Sequence, residues 1–259
     1  MRQSGIILLA SFLFLISLPK LSVQDAEAIF TQATKNLVSG DIEMDMEVKT
    51  TDSKGRVKEK GFKVLVANFG DVEKMKVSWQ KPERAKGTTI IITTTPNEIG
   101  VIEVYTPSNG KVRKLKATEE NMKLVGSEFS MINMKMGDPK ELLFTYLKSE
   151  VLNGKDCHII DVKSKSKDAT DLSKGRLWIE TQSYKIVQIK VYDDKGKHIT
   201  LVELSNFKPI AGIANKIQPM KMVSRDINKN KITSINILKI SKPIGVSEAD
   251  FVFPQRGNL

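Results

Sequence analysis

Two histidines and a single cysteine are all the imidazole and thiol chemistry in this 259-residue chain. His158 follows Cys157 directly, inside a run that alternates apolar and polar residues. Neighbours on a strand point to opposite faces, so this pair cannot close on one metal ion. His198 follows Asp193-Asp194-Lys195-Gly196, a hairpin-turn sequence, and reads as a surface residue. Asp193 and Asp194 are turn formers first, with a calcium or acid–base role as the alternative. The sequence holds no Gly-rich phosphate loop, no Gly-x-Ser-x-Gly elbow and no His-x-x-x-His pair. An envelope hydrolase would have to gather its site from carboxylates scattered along the chain. The expectation is a non-enzyme with no catalytic residue, no metal and no cofactor.

The start of the chain carries a different kind of signal. Arg2 precedes the run Ile6 to Leu18, 13 residues of largely apolar character, which ends at Pro19-Lys20. A basic end before an apolar core of ~7–15 residues describes a secretory signal peptide. A spanning helix needs ~20 apolar residues. Small residues at Ser22-Val23-Gln24 and Ala26-Glu27-Ala28 place the cleavage point between 22 and 28, so residues 1–24 are read as the leader and 25–259 as one domain. No cysteine stands near that point to take a lipid anchor. The expected location is the periplasm, reached by export and without a lipid anchor. Cys157, as the lone cysteine, forms no internal disulfide.

The full chain has 41 basic and 30 acidic residues; without Arg2 and Lys20 the balance is 39 to 30, or +9. Such an excess favours anionic partners, anionic membrane surfaces among them. Nucleic acid is not an expected partner, since two Trp and four Tyr supply few stacking platforms. The alternating lysines of 54–60 and 111–116 also serve to keep a sheet face wet and to discourage edge pairing.

The elements that must position any site follow from periodicity. Ile29, Phe30, Ala33 and Leu37 share one face of a helix, with Asp25 as its N-cap and Gly40 beyond its end. From Ile42 the period changes to two. Met44, Met46 and Val48 alternate with Asp45, Glu47 and Lys49; Phe62, Val64 and Val66 follow the turn 52–55; Met75, Val77 and Trp79 precede Lys81-Pro82. Further strands are expected over 88–95, 101–105 and 112–115, joined by turns at Pro96-Asn97 and 108–110. Residues 126–136 are irregular and Met-rich. Asp138-Pro139 opens a second expected helix with the face Leu142, Leu143, Tyr146 and Leu147. Strands at 157–162, 177–180, 185–192, 198–207, 213–223 and 232–240 complete the chain.

The fold class predicted is mainly β with an α lid. An open or closed antiparallel barrel of about ten or eleven strands is covered by helices, because a large sheet with one apolar face must close on itself or be covered. Met44, Met46, Val48, Phe62, Val64, Val66, Met75, Val77 and Trp79 are the candidate lining of a hydrophobic-ligand cavity. Phe30, Ala33, Leu37, Leu142, Leu143, Tyr146 and Leu147 are the candidate lid. Methionine suits a surface that re-packs around varied apolar partners, and it suits equally a filled core.

One ordered set of short blocks goes further. Lys81-Pro82-Glu83-Arg84, then Gly87-Thr88, Tyr105-Thr106-Pro107, Arg113, and Gly126-Ser127-Glu128-Phe129 resemble the outer-membrane lipoprotein-sorting (LolA-like) family, in the branch with KPER-KGT and GSDFSY-type blocks. Glu103, Glu128 and Met131 depart from that branch's usual tryptophan, aspartate and tyrosine. The resemblance implies a LolA/LolB-like unclosed barrel whose lidded cavity shields acyl chains of a lipoprotein or another lipid in transit towards the outer membrane. It also implies an inner-membrane donor complex and an outer-membrane acceptor as partners. A non-catalytic periplasmic adaptor subunit of an envelope transporter is the alternative.

Overall fold

The computed structural model describes residues 23–37, 40–95, 100–118, 139–165 and 174–253. The expected leader core, the Pro96-Asn97 turn, the Met-rich stretch 126–136 and the block Gly126, Ser127, Phe129 lie outside these residues.

The chain opens with helix α1 (Val23–Lys35) and proceeds through β1 (Ile42–Thr51), β2 (Val57–Phe69), β3 (Val72–Lys81), β4 (Thr89–Thr94), β5 (Val101–Thr106) and β6 (Lys111–Lys116). It continues with β7 (Leu142–Leu152), β8 (Lys155–Ser164), β9 (Lys174–Glu180), β10 (Ile186–Tyr192), β11 (His198–Ile210), β12 (Ile213–Asp226) and β13 (Lys231–Ser241). All thirteen form one antiparallel sheet in the order β6-β5-β4-β3-β2-β1-β13-β12-β11-β10-β9-β8-β7. The chain therefore meanders from β1 out to one edge, resumes at the opposite edge and meanders back until β13 pairs with β1. Consecutive strands β6 and β7 stand at the two far edges, and the sheet does not close.

The period of two is obeyed across this seam. Val48 pairs with Ile235 of β13 and Met44 with Val64 of β2; Phe62 pairs with Trp79 and Val64 with Val77. Because cross-strand partners share a face, one side of the sheet is apolar from β5 across to β7. A bulge between Asp45 and Met46 re-sets the register with β13 without turning the apolar set outward. Turn chemistry supports the hairpins. Asp52 Oδ1 accepts from the backbone N–H groups of Lys54 and Arg56, and Asp193 Oδ1 from those of Lys195 and Lys197.

Three expectations need correction. The second helix is absent: a short 3-10 turn at Pro139–Glu141 leads into β7. Leu142, Leu143, Tyr146 and Leu147 fit a helical face, but Leu142, Phe144 and Tyr146 also fit one face of a strand, and Phe-Thr-Tyr favours extended backbone. Pairing with β8 decides it. Leu143 ends on the wet face at 52% exposure, and Leu147, 39% exposed, sits where the ladder shifts between Tyr146 and Lys148. The described residues hold thirteen strands rather than ten or eleven, in part because this segment adds one. Finally, α1 begins at Val23, so Asp25 lies in its first turn. It stops before Leu37, which instead bridges Ile217.

A segment that periodicity missed covers part of the outer face. After β13 the chain crosses β3: Lys74 Nζ pairs with Glu248 at 2.6 Å and Lys76 Nζ donates to the Asp250 carbonyl at 2.8 Å. Phe251 packs edge-on to Phe69 and Phe253 stacks on Tyr105, with centroids 5.6 and 5.8 Å apart. This strap accompanies the burial of Ile91 and Tyr105 on the outward side of β4 and β5.

Candidate functional site

The nine candidate lining residues come together. Met44, Met46, Val48, Phe62, Val64, Met75, Val77 and Trp79 are all buried in one apolar cluster, and Val66 packs against it half-buried. The rings of Phe62 and Trp79 meet edge-to-face at 4.9 Å. The same cluster extends across the other half of the sheet through Phe144, Leu177, Val202, Met222 and Ile235. Sequence reading left these out of the site, although their own alternation carried the same signal.

Helix α1 lies against this face. Its apolar stripe Ala26, Ile29, Phe30 and Ala33 is buried in the cluster, while Glu27, Ala28, Thr31 and Gln32 face solvent. Phe30 sits 5.0 Å from Phe144, ring to ring, so the helix rests on β7. Its C-terminal end is tied to β12: the Asn36 carbonyl accepts from the Ile217 N–H at 3.0 Å, and the Lys35 carbonyl from Lys216 Nζ at 2.5 Å. Positive charge there also complements the negative end of the helix dipole. Of the candidate lid residues, Phe30, Ala33 and Leu142 are within the cluster, and Leu37 and Tyr146 pack on its margin. Leu143 and Leu147 are not part of it.

Of the cysteine, the histidines and the described ion pairs, only His158 stands on the inner face, at its margin. Cys157 is buried on the outer face with Ile159 and Trp178, and burial pushes its thiol above the ordinary range. A buried thiol in apolar surroundings is not a nucleophile. His158 points to the opposite face, as expected, and sits edge-on to Tyr146 with Nδ1 3.4 Å from the phenol oxygen. Burial lowers its pKa, favouring the neutral ring. His198 is half-buried against Tyr192, and its Nε2 lies 3.0 Å from the Thr200 carbonyl oxygen. Glu180 is buried next to Lys155. Burial would raise its pKa, but hydrogen bonds from Lys155 (2.7 Å) and Ser183 outweigh burial and hold it below the ordinary value. Arg176 forks onto Asp161 at 2.7 and 3.0 Å. Among the described residues no three of His, Cys, Asp and Glu gather as a metal site requires. None of their helices is long and apolar enough to cross a membrane.

The described motif positions gather at one rim. Lys81 ends β3, and its Nζ pairs with Glu47 at 2.9 Å. Pro82, Glu83 and Arg84 form a short loop closed by the Gly87 N–H donating to the Trp79 carbonyl. Gly87 has φ 81°, which a side chain would resist. Tyr105 and Pro107 enter the next hairpin, and Arg113 is exposed on the edge strand β6. These residues shape the loops at the β3–β6 end of the sheet and do not line the apolar interior, apart from the neighbouring Trp79.

Comparison with known proteins agrees with this geometry. No curated relative matches the chain. A domain assigned to the outer membrane lipoprotein-sorting proteins of Vibrio parahaemolyticus superposes with a TM-score of 0.74 at 18% identity, over 89% of this chain and 97% of that one. A DUF1329 family protein from Desulfovibrio piger gives 0.76 at 19% identity, over 89% and 97%. A LolA superfamily protein from Nitrosomonas europaea gives 0.62 at 13% identity, over 88% and 97%. A family model described as an uncharacterized protein matches residues 71–253. That match takes in well over half of the chain, which therefore belongs to this family; its unclosed β-sheet with a covering helix is the fold it shares with the three structures.

Proposed function

We propose that the protein is a soluble periplasmic carrier, exported by a cleaved leader, which shields the acyl chains of a lipoprotein or another lipid on the way to the outer membrane. It performs no catalysis on this reading. It takes cargo from an inner-membrane donor and yields it to an outer-membrane acceptor. The observation that carries the proposal is the continuous apolar face of an unclosed sheet under the amphipathic helix α1. Such a face must be covered, and α1 is a separate piece of chain joined to the sheet at its far end.

The buried state of the lining residues sets the mechanism. Met46 and Phe62 are only 2% and 1% exposed, so cargo reaches them only when something that covers them moves. An acyl chain enters by displacing α1, so helix and cargo compete for the same apolar surface. Each methylene kept from water is worth about 0.8 kcal/mol, which for a long chain amounts to roughly 10 kcal/mol. The same closure favours a second reading, in which the core stays filled and the protein is an adaptor subunit of an envelope transporter.

Organic extraction separates the two. Protein purified from its own envelope without detergent releases acyl-bearing molecules, seen by mass spectrometry at a substantial fraction of one per chain. Met46→Arg abolishes that occupancy, since an unpaired charge in an apolar interior costs several kcal/mol. Lys165→Glu, at an exposed position, leaves it intact. Empty extracts from the parent protein would give the adaptor reading the stronger claim.

A further inference from the structure

The rim where β1 meets β2, β10 meets β11 and β12 meets β13 combines exposed aliphatic side chains with outward lysines. Val57 pairs with Thr51, which pairs in turn with Ile232, so the two aliphatic residues flank one backbone on the same face. Ile227 belongs to the neighbouring turn, where its N–H donates to the Ile199 carbonyl at 2.9 Å. Val57, Ile232 and Ile227 are 50%, 41% and 47% exposed. Lys197 Nζ reaches Asn228 Oδ1 at 2.9 Å and joins the turns 193–197 and 227–230 into one surface.

Charge on this rim is arranged with a direction. Three acids of these turns are held locally, Asp52 by Arg56, Asp193 by two backbone N–H groups and Asp226 by the N–H and Nζ of Lys229; Asp194 is exposed beside Lys195 and is outnumbered by the surrounding lysines. Lys54, Lys58 and Lys195 are exposed and meet no carboxylate among the described residues. Lysines that flank protruding aliphatic groups can place their charge at phosphate level while the aliphatic groups enter the acyl boundary. An acidic protein or nucleic acid would use the charges, but it would have no use for three exposed aliphatic side chains beside them.

We propose that this rim docks on an anionic phospholipid surface, with Val57, Ile227 and Ile232 inserted and Lys54, Lys58 and Lys195 over the headgroups. The inference deepens the carrier reading by supplying a place where the protein meets a membrane. It is measured without reference to cargo.

The test is co-sedimentation of the purified exported protein with vesicles of phosphatidylglycerol and phosphatidylethanolamine in a ratio of about one to three, against vesicles of phosphatidylcholine alone. The parent binds the first and not the second. Each basic residue near such a surface is worth about fivefold in affinity (about 1 kcal/mol). The triple variant Lys54→Glu, Lys58→Glu, Lys195→Glu therefore binds at least about 100-fold more weakly. The triple variant Val57→Ser, Ile227→Ser, Ile232→Ser also loses affinity, and that loss persists at high salt, where screening removes the charge contribution. Reversal of Lys208, Lys239 and Lys242, three exposed lysines of the opposite end, leaves binding at the parent level. Equal weakening by that control overturns the proposal, because net charge alone would then be responsible. An aliphatic variant that binds like the parent overturns it too, as does a parent that ignores the anionic vesicles while capturing an acidic protein. Lipid extraction of the same preparations keeps the two ideas apart. Docking with an empty interior removes the carrier function and leaves the rim; cargo without docking does the reverse.

Discussion

Phe30→Ala tests whether α1 is a lid or one more piece of the core. Phe30 is 1% exposed, and its ring stands 5.0 Å from that of Phe144. Truncating a buried phenylalanine costs about 3–5 kcal/mol. If α1 opens separately from the sheet, the whole cost falls on helix docking, and the open population rises by about two to four orders of magnitude. Native-state hydrogen exchange reads this directly. Amides of residues 29–35 should exchange faster by that factor, while those of Met46, Val48 and Ile235 at the β1–β13 seam keep the parent's protection. Urea unfolding followed by a sheet probe should show a midpoint close to the parent's. The reasoning is refuted if helix and seam amides lose protection together and the urea midpoint drops by the full amount. That result would make α1 a cooperative part of the core, leaving no separable cover.

Three further perturbations follow from the same geometry. Phe144→Ala should cost about 3–5 kcal/mol and Leu143→Asp less than about 1 kcal/mol by urea unfolding, whereas a helix with the face Leu142, Leu143, Tyr146 and Leu147 would have reversed that order. Glu180 has a pKa below its ordinary value in the folded protein, so its ionised form contributes stability that is fully present above the unfolded pKa of about 4.3 and fades as pH falls through the folded one. Glu180→Gln should therefore lower the melting temperature at neutral pH and flatten its decline below about pH 4.5. Phe251→Ala removes the ring packed on Phe69 and should release the strap, so limited proteolysis should cut within 242–253 while the sheet's circular dichroism persists.

What could be read in advance depended on where the physics was local. Strands β1 to β3 alternate so regularly that face, turn and inward set were legible together, and Met44, Val64 and Val77 lie where the period of two places them. The segment Leu142 to Leu147 was misread because two periodicities fit the same residues. What distinguishes them is a partner strand, β8, reached across a hairpin further along the chain. The strap around Phe251 was invisible for a related reason: its contacts with Lys74, Lys76 and Phe69 span more than 170 residues, and no period marks them. The candidate site was half legible. Its lining came from alternation, but the contribution of Phe144 and the rest of the distal half depends on the sheet curling that half under α1. That is a property of the whole sheet and of no single segment.

The energetics of a shared surface place a condition on any carrier of this design. Burying Phe30 and Ile29 under α1 is worth roughly 1.5–3 kcal/mol each, with about 0.8 kcal/mol per methyl from Ala26 and Ala33, so docking of the stripe contributes roughly 5–8 kcal/mol before entropy. An acyl chain that displaces the helix gains roughly 10 kcal/mol over water, but must forfeit what the helix had gained. The difference is a few kcal/mol, enough to hold cargo and small enough for a membrane or an acceptor to reclaim it. The sign of one consequence is unusual. Weakening the helix by Phe30→Ala lowers the competitor's share, so cargo should bind more tightly and transfer to acceptor vesicles more slowly. A helix that clamped cargo from above would give the opposite result, with faster loss from the same variant. Dissociation of a fluorescent acyl probe from parent and variant therefore distinguishes a helix that vacates the interior from one that closes over it.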